Sequence, residues 1–501
     1  MSRLAAITAL RAWIEKGGPG AGADEAASEG KKGKKNKKKK APEADEGGPY
    51  LLVSDLVVMA GDDGNVAMRA VRDVGAGELL VGVATRCTLH PRSAAVPEAR
   101  RAAVQRAAAA VRAAAPWRTP LLDGGNEGWI ELVVLLALEL LDGEASLWWP
   151  YLRTLPRKEH AMPASLWALL GGAEGIAAQT LLEGTSVGAL TAFDVQDLAT
   201  LLGGGGATPD LAEILGTPSA EAAREALLHA IGLTITRAIE GVGLVPFVDL
   251  VNGNPTGRHN ATIERTNLAR SMDAVTQEPC CAIVSAKPAK AGEEIVLAYG
   301  KYSAAEFLYR YGWVEGGPSA KGGAESPHDK AALSLELVWS GLSDAQRGVL
   351  EKHGLSRNEL EEDVKGGSPF AVPAADAAKG SFPPLLQQVA LIACCEDPKV
   401  LQEIADTGKS SSGPGVKRTE LAQRVAKWCA EQVLRLCAVA PPAAKDSDKT
   451  VLVGLAARVR RGERELLLKW IMGLQRANQL PNDILAEALQ NHTAACKQES
   501  L

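Results

Sequence analysis

Arg237, Asp249, Asn252, Tyr299 and Tyr311, between positions 237 and 311, are polar residues whose side chains could do chemistry. They supply a guanidinium, a carboxylate, an amide and two phenols, whose shared chemistry is oriented hydrogen bonding. Asp249 interrupts the apolar run from Leu244 to Val251. A carboxylate buried there must find partners, for a structural or a ligand-facing purpose. Tyr299 follows the apolar stretch 294–298 and precedes Gly300, so by itself it reads as a tyrosine ending a strand before a glycine turn. Arg237, in a helical stretch, is by itself an ordinary surface arginine. Metal chemistry finds no support. The eight cysteines include the adjacent pairs Cys280-Cys281 and Cys394-Cys395, but no C-x-x-C and no Cys/His cluster with tetrahedral spacing. Gly203 to Gly206 is a flexible loop; with no Gly-Lys-Ser/Thr after it, it is not a phosphate loop.

The elements that must position these residues belong to a chain of 501 residues, long enough for two or three domains. A hydrophobic content of 46% is ample for burial, and a net charge of −5 gives no overall field to recruit nucleic acid. No apolar run approaches the roughly 20 residues of a membrane span. The first residues carry neither a long apolar signal core nor an acid-poor transit extension. A soluble cytosolic or nuclear protein with free, mostly buried thiols is expected.

Residues 4–16 read as an amphipathic helix closed by glycines, giving an N-terminal element at 1–18. Residues 19–48 form an insertion around Lys31 to Lys40, a lysine run that cannot bury itself and is expected to be disordered. Short apolar runs at 51–53, 57–59, 67–71 and 79–83, separated by glycines, read as strands. From about 95 to 235 the periodicity turns helical, with an Ala/Arg helix at 98–115 and an apolar, buried helix at 129–141. Residues 316–329 read as a linker. Beyond it the sequence is helical again to about 490.

Several of these stretches carry motifs. The turn Arg72-Asp73-Val74-Gly75-Ala76-Gly77-Glu78, the segment Trp148 to Pro156, the run Leu244 to Asn252, and Gly292 to Gly300 followed by Ser303 to Trp313 occur in one order. Phe382 to Leu391 and Val451 to Trp470 follow. In that order they resemble the SET-domain methyltransferases of the Rubisco large-subunit lysine methyltransferase and actin-histidine methyltransferase type. The resemblance implies an α+β fold. A SET domain of short strands at 49–315 holds a helical insertion at about 95–235, and an all-α substrate-binding domain follows at 326–490. It also fits the absence of a zinc-binding cysteine cluster after Tyr299.

The implied activity is S-adenosylmethionine-dependent methylation of a side-chain nitrogen on a non-histone protein, with lysine favoured over histidine. Methyl transfer needs a neutral nucleophile, and an apolar channel lowers the pKa of a lysine that water would protonate. Alignment then supplies much of the acceleration. By the resemblance Tyr299 is the catalytic tyrosine. Asn65, Val66, Ala67, Asn252 and Gly253 hold the cofactor. Arg237, Asp249, Tyr299 and Tyr311 face the substrate. A protein substrate docked by the C-terminal helices is the implied partner. No metal or membrane is implied, and only the lysine run could bind nucleic acid. The chain departs from the pattern where Gly253 replaces a histidine, where Asn65-Val66-Ala67 replaces Gly-x-Gly, where Ile263 replaces an aromatic, and where Gly241 replaces an arginine. These departures leave a second reading open, a SET fold retained as a protein-binding scaffold.

Overall fold

The computed structural model describes residues 2–16, 18–20, 51–61, 66–115, 117, 128–157, 162–202, 210–254, 259–267, 279–315, 326, 328–363, 369–407, 416–438, 451–478 and 480–499. The lysine run Lys31 to Lys40, the glycine loop Gly203 to Gly206 and Asn65 lie outside them. The chain is α+β and divides into two compact units. The first contains Met1–Pro116, Asp123–Ala161 and Ala199–Gly300; the second contains Trp117–Leu122, Met162–Leu198 and Lys301–Leu501.

In the first unit, the helix Arg3–Glu15 starts where the Ser2 side chain accepts the Ala5 N–H, and it buries Ala6, Ile7, Leu10 and Ile14 as one stripe. Trp13 meets the buried Trp148 edge-on at 5.9 Å, so these tryptophans anchor the packing of that helix. The strands are short: β1 (Leu51–Val53), β2 (Val57–Ala60), β3 (Ala67–Ala70), β4 (Leu79–Ala84), β5 (Gly253–Asn254), β6 (Ala261–Asn267), β7 (Pro279–Ser285) and β8 (Leu297–Ala298). Six of them form one sheet in the order β1-β4-β7-β6-β8-β5, while β2 and β3 pair as a separate antiparallel hairpin. β4 is nearly continuous in apolar residues because it runs between β1 and β7 and is buried along five of its six positions. The helix Trp129–Asp142 is buried on nearly every side, and Ala220–Arg237 packs beside it, placing Arg237 in its last turn.

The second unit is mostly helical and is crossed by the helix Val451–Asn478. This helix buries charged residues as well as leucines, and each has a partner. Glu463 accepts the Ser186 N–H at 2.9 and 3.0 Å and its hydroxyl at 2.6 Å. Arg460 donates to the carbonyls of Leu181 at 2.8 Å and Arg435 at 3.1 Å. Burial pushes the Glu463 carboxyl up to about 7. Among the described residues no helix is long and apolar enough to cross a membrane, and no group of three His, Cys, Asp or Glu side chains could hold a metal ion.

Candidate active site

The run Leu244 to Asn252 folds as an irregular loop that buries Leu244, Val245, Phe247 and Val248. Phe247 sits at φ 75°, a left-handed conformation costing a non-glycine residue about 1–3 kcal/mol. Burial of the surrounding apolar side chains offsets that strain. The loop then tightens into the 3-10 turn Val248–Leu250, which carries Asp249 inward.

The Asp249 side chain is fully buried. Tyr151 donates its hydroxyl to Oδ2 at 2.7 Å. Arg237 donates Nη1 to the Asp249 main-chain oxygen at 2.6 Å and stands 3.9 Å from Oδ2. Oδ1 is buried and meets no hydrogen-bond partner among the described residues. Burial pushes the carboxyl from 3.8 up to about 6, against the pull of Arg237, then Tyr151, then Arg3. Burial, with the adjacent Asp249, raises the Tyr151 phenol well above its ordinary range, so it stays protonated.

The linkage can be measured. A carboxyl whose native pKa exceeds its unfolded value binds protons more tightly when folded, so its contribution falls as pH rises from 3.8 through about 6. The displacement corresponds to about 3 kcal/mol. Asp249→Asn should flatten the fall of stability between the acid and neutral ends of that window, measured by urea denaturation. Tyr151→Phe should move the fall to higher pH, because it removes a hydrogen bond to the ionised form. Identical pH profiles for all three proteins would sink the assignment.

Tyr299 follows directly. The stretch 294–298, expected as one strand, is two pieces. Ala70 N–H donates to the Glu293 carbonyl at 2.9 Å and Ile295 N–H to that of Met68 at 2.8 Å, so its first half runs beside β3. Only Leu297 and Ala298 join the six-stranded sheet as β8, parallel to β5 and β6. The change of partner delivers Tyr299 over Gly253. A Cβ built on Gly253 would overlap the Tyr299 ring atoms Cγ, Cδ1 and Cδ2. The hydroxyl donates to the Val251 carbonyl at 2.9 Å. Burial raises the phenol pKa, Arg237 lowers it and Asp249 raises it, a net shift upward. Asn252 donates Nδ2 to Glu294 Oε1 at 2.8 Å, and its carbonyl accepts the Leu297 N–H at 2.9 Å.

Arg237, Asp249, Asn252, Gly253 and Tyr299 are thus joined by direct contacts or through Val251 and β8. Val66 and Ala67 are buried, with Ala67 paired to Ala60 at the end of the β2–β3 hairpin. β3 reaches the others through its bonds to Glu293 and Ile295. Tyr311 belongs to the second unit, on the helix Ala304–Tyr311, where its ring packs at 4.7 Å from Phe307 and 6.3 Å from Tyr302. Ile263, on β6, is exposed. Sequence reasoning missed Tyr151, Arg3 and Glu294. The one signal available for Tyr151 was a buried-looking tyrosine that, like Asp249, lacked a partner nearby in sequence.

No protein-family model matches the sequence, and no curated protein matches it. Solved structures do match. The SET domain of LSMT bound to lysine and AdoHcy aligns over 86% of this chain and 89% of its own, at 15% identity and a TM-score of 0.52. The same domain bound to methyllysine and AdoHcy aligns over 95% and 92%, at 14% identity and a TM-score of 0.51. Rubisco LSMT bound to sinefungin and monomethyllysine aligns over 88% and 90%, at 15% identity and a TM-score of 0.50. With its short strands, inserted helices and helical C-terminal half, this chain has the fold of the SET domain of LSMT.

Proposed function

We propose that the chain is a protein methyltransferase that uses S-adenosylmethionine and methylates a side-chain nitrogen, lysine in preference to histidine, on a non-histone protein. The observation that carries this reading is the neutral Tyr299 phenol, fixed by its bond to Val251 and seated over Gly253 next to the Asp249 cluster. The donor set suits the cofactor. Asn252 and the main chain at Gly253, Val66 and Ala67 would hold it, and it would supply a methyl group activated by a sulfonium. Tyr299 donates its hydroxyl hydrogen bond to the Val251 carbonyl, which leaves its oxygen able to accept an N–H from the incoming nitrogen. The buried Val251, beside the Tyr299 hydroxyl, would disfavour a charged amine there and so favour the nucleophilic form. In the same reading the helices of the second unit dock the protein substrate, in the cytosol or nucleus.

One observation favours the scaffold instead. Ala67 is buried and paired in a strand at a position where the resemblance expects glycine. Calorimetric titration with S-adenosylmethionine and S-adenosylhomocysteine separates the two. Saturable binding weakened by Asn252→Ala supports the enzyme. No binding up to millimolar concentration supports the scaffold.

A further inference from the structure

A cleft of about 580 Å³ opens in the first unit. One wall is the 3-10 turn Thr85–Cys87 and the bend from His90 to Ser93. The second wall is the turn from Ile239 to Gly243. The third is Arg265 of β6 with its cross-strand partner Cys281 of β7. Hydrogen bonds fix these walls. Leu89 and Leu244 exchange main-chain bonds of 2.9 and 3.1 Å, and Ile239 and Gly243 exchange bonds of 2.9 and 3.0 Å. Gly243 sits at φ 98° in the crossing, where a Cβ would stand 2.6 Å from the Leu89 carbonyl oxygen. Among the described residues, the lining includes none of Asn252, Gly253 and Tyr299.

The polar lining is rich in donors. Arg86, Arg92 and Arg265 contribute guanidinium groups, and no Asp or Glu side chain lines the cleft among the described residues. Arg265 is steadied by donating to the Glu240 carbonyl. His90 adds a further donor: its Nδ1 accepts the Arg92 N–H at 3.1 Å, so the neutral ring carries its proton on Nε2. Burial, and then the charge of Arg92, hold its pKa below the ordinary range. Val242, Cys280 and Cys281 make a buried, uncharged floor, with burial pushing the Cys281 thiol up to about 12.

We propose that this cleft binds a phosphate ester of a small polar molecule. The phosphate would lie among Arg86, Arg92 and Arg265, and the organic body against Val242 and Cys281. Guanidinium forks match phosphate oxygens, and three of them suit the larger charge and third free oxygen of a phosphate monoester better than a single carboxylate. The volume falls within the range of small-molecule sites, about 300–1,000 Å³, and leaves room for a body beyond the phosphate itself. This inference is independent of the methyl-transfer reading.

The test is titration of the full-length protein at low salt with ribose 5-phosphate, inorganic phosphate, ribose and a polyglutamate peptide. Ribose 5-phosphate should bind saturably, inorganic phosphate more weakly and ribose not at all. Arg92→Ala combined with Arg265→Ala removes two exposed side chains and should change the melting temperature little, since the Arg265 bond to Glu240 that it breaks is at the surface. It should weaken ribose 5-phosphate binding by about tenfold or more, the loss expected for charge-assisted hydrogen bonds. Arg265→Gln, which keeps length without charge, should share part of that loss. Absence of binding by either phosphate probe at millimolar concentration overturns the proposal, as does binding indifferent to the double substitution. Tighter binding of polyglutamate than of ribose 5-phosphate overturns it in favour of an acidic protein partner.

Discussion

Tyr299→Phe is expected to slow methyl transfer on the order of 10²-fold while leaving affinity for S-adenosylmethionine nearly unchanged. The substitution keeps the ring that rests on Gly253 and removes only the hydroxyl bonded to Val251. That hydroxyl matters when the acceptor nitrogen must be held on line for attack, so its loss should register in turnover more than in binding. The raised pKa of the phenol adds a constraint: no limb of the pH–rate profile near neutrality should belong to Tyr299. Single-turnover rates and cofactor titration on both proteins provide the check. Equal rates would remove Tyr299 from the reaction. Asn252→Ala should show the opposite pattern, with cofactor affinity failing first.

Gly253→Ala is expected to damage stability and turnover together. Its methyl group would occupy space held by the Tyr299 ring, and overpacking of this kind costs about 1–3 kcal/mol. A displaced ring also loses its bond to Val251. Gly253→His, although it restores the residue the resemblance expects, should be worse than alanine. The conflict is specific to the ring. In a Tyr299→Ala background, adding Gly253→Ala should cost no more than about 0.5 kcal/mol, and the departure from additivity measures the clash. Urea denaturation of the four proteins completes the cycle. Fully additive losses would mean that the ring does not rest on Gly253.

Much of the fold was legible because it follows local rules. The apolar runs bounded by glycines became β1 to β4, and the helical periodicity at 98–115 and 129–141 became helices with nearly the same ends. The site was less legible because its contacts are not local. Tyr151 and Asp249 lie 98 positions apart, and nothing in either neighbourhood announces the other. The stretch 294–298 has the composition of one strand, yet it changes partners midway, a choice made by β3 and β5 rather than by its own residues. Gly253 read as a missing histidine. In the fold it is the surface on which an aromatic ring sits, visible only once Tyr299 has been placed.

The way the second unit is assembled sets an order for its folding on the ribosome. The helix Gly172–Leu182 packs against Val451–Asn478, and Ser186 meets Glu463 across 277 positions of sequence. At about 5–20 residues per second, roughly 15–60 s separate the synthesis of these partners. Throughout that interval Leu181 and Leu182, fully buried in the finished protein, sit on a helix that lacks its partner Val451–Asn478. A nascent chain must therefore carry an apolar segment without this partner until the stretch from Val451 emerges. Any chain that stops before Val451 never acquires that partner, and an early stop leaves an aggregation-prone fragment in place of a shortened protein.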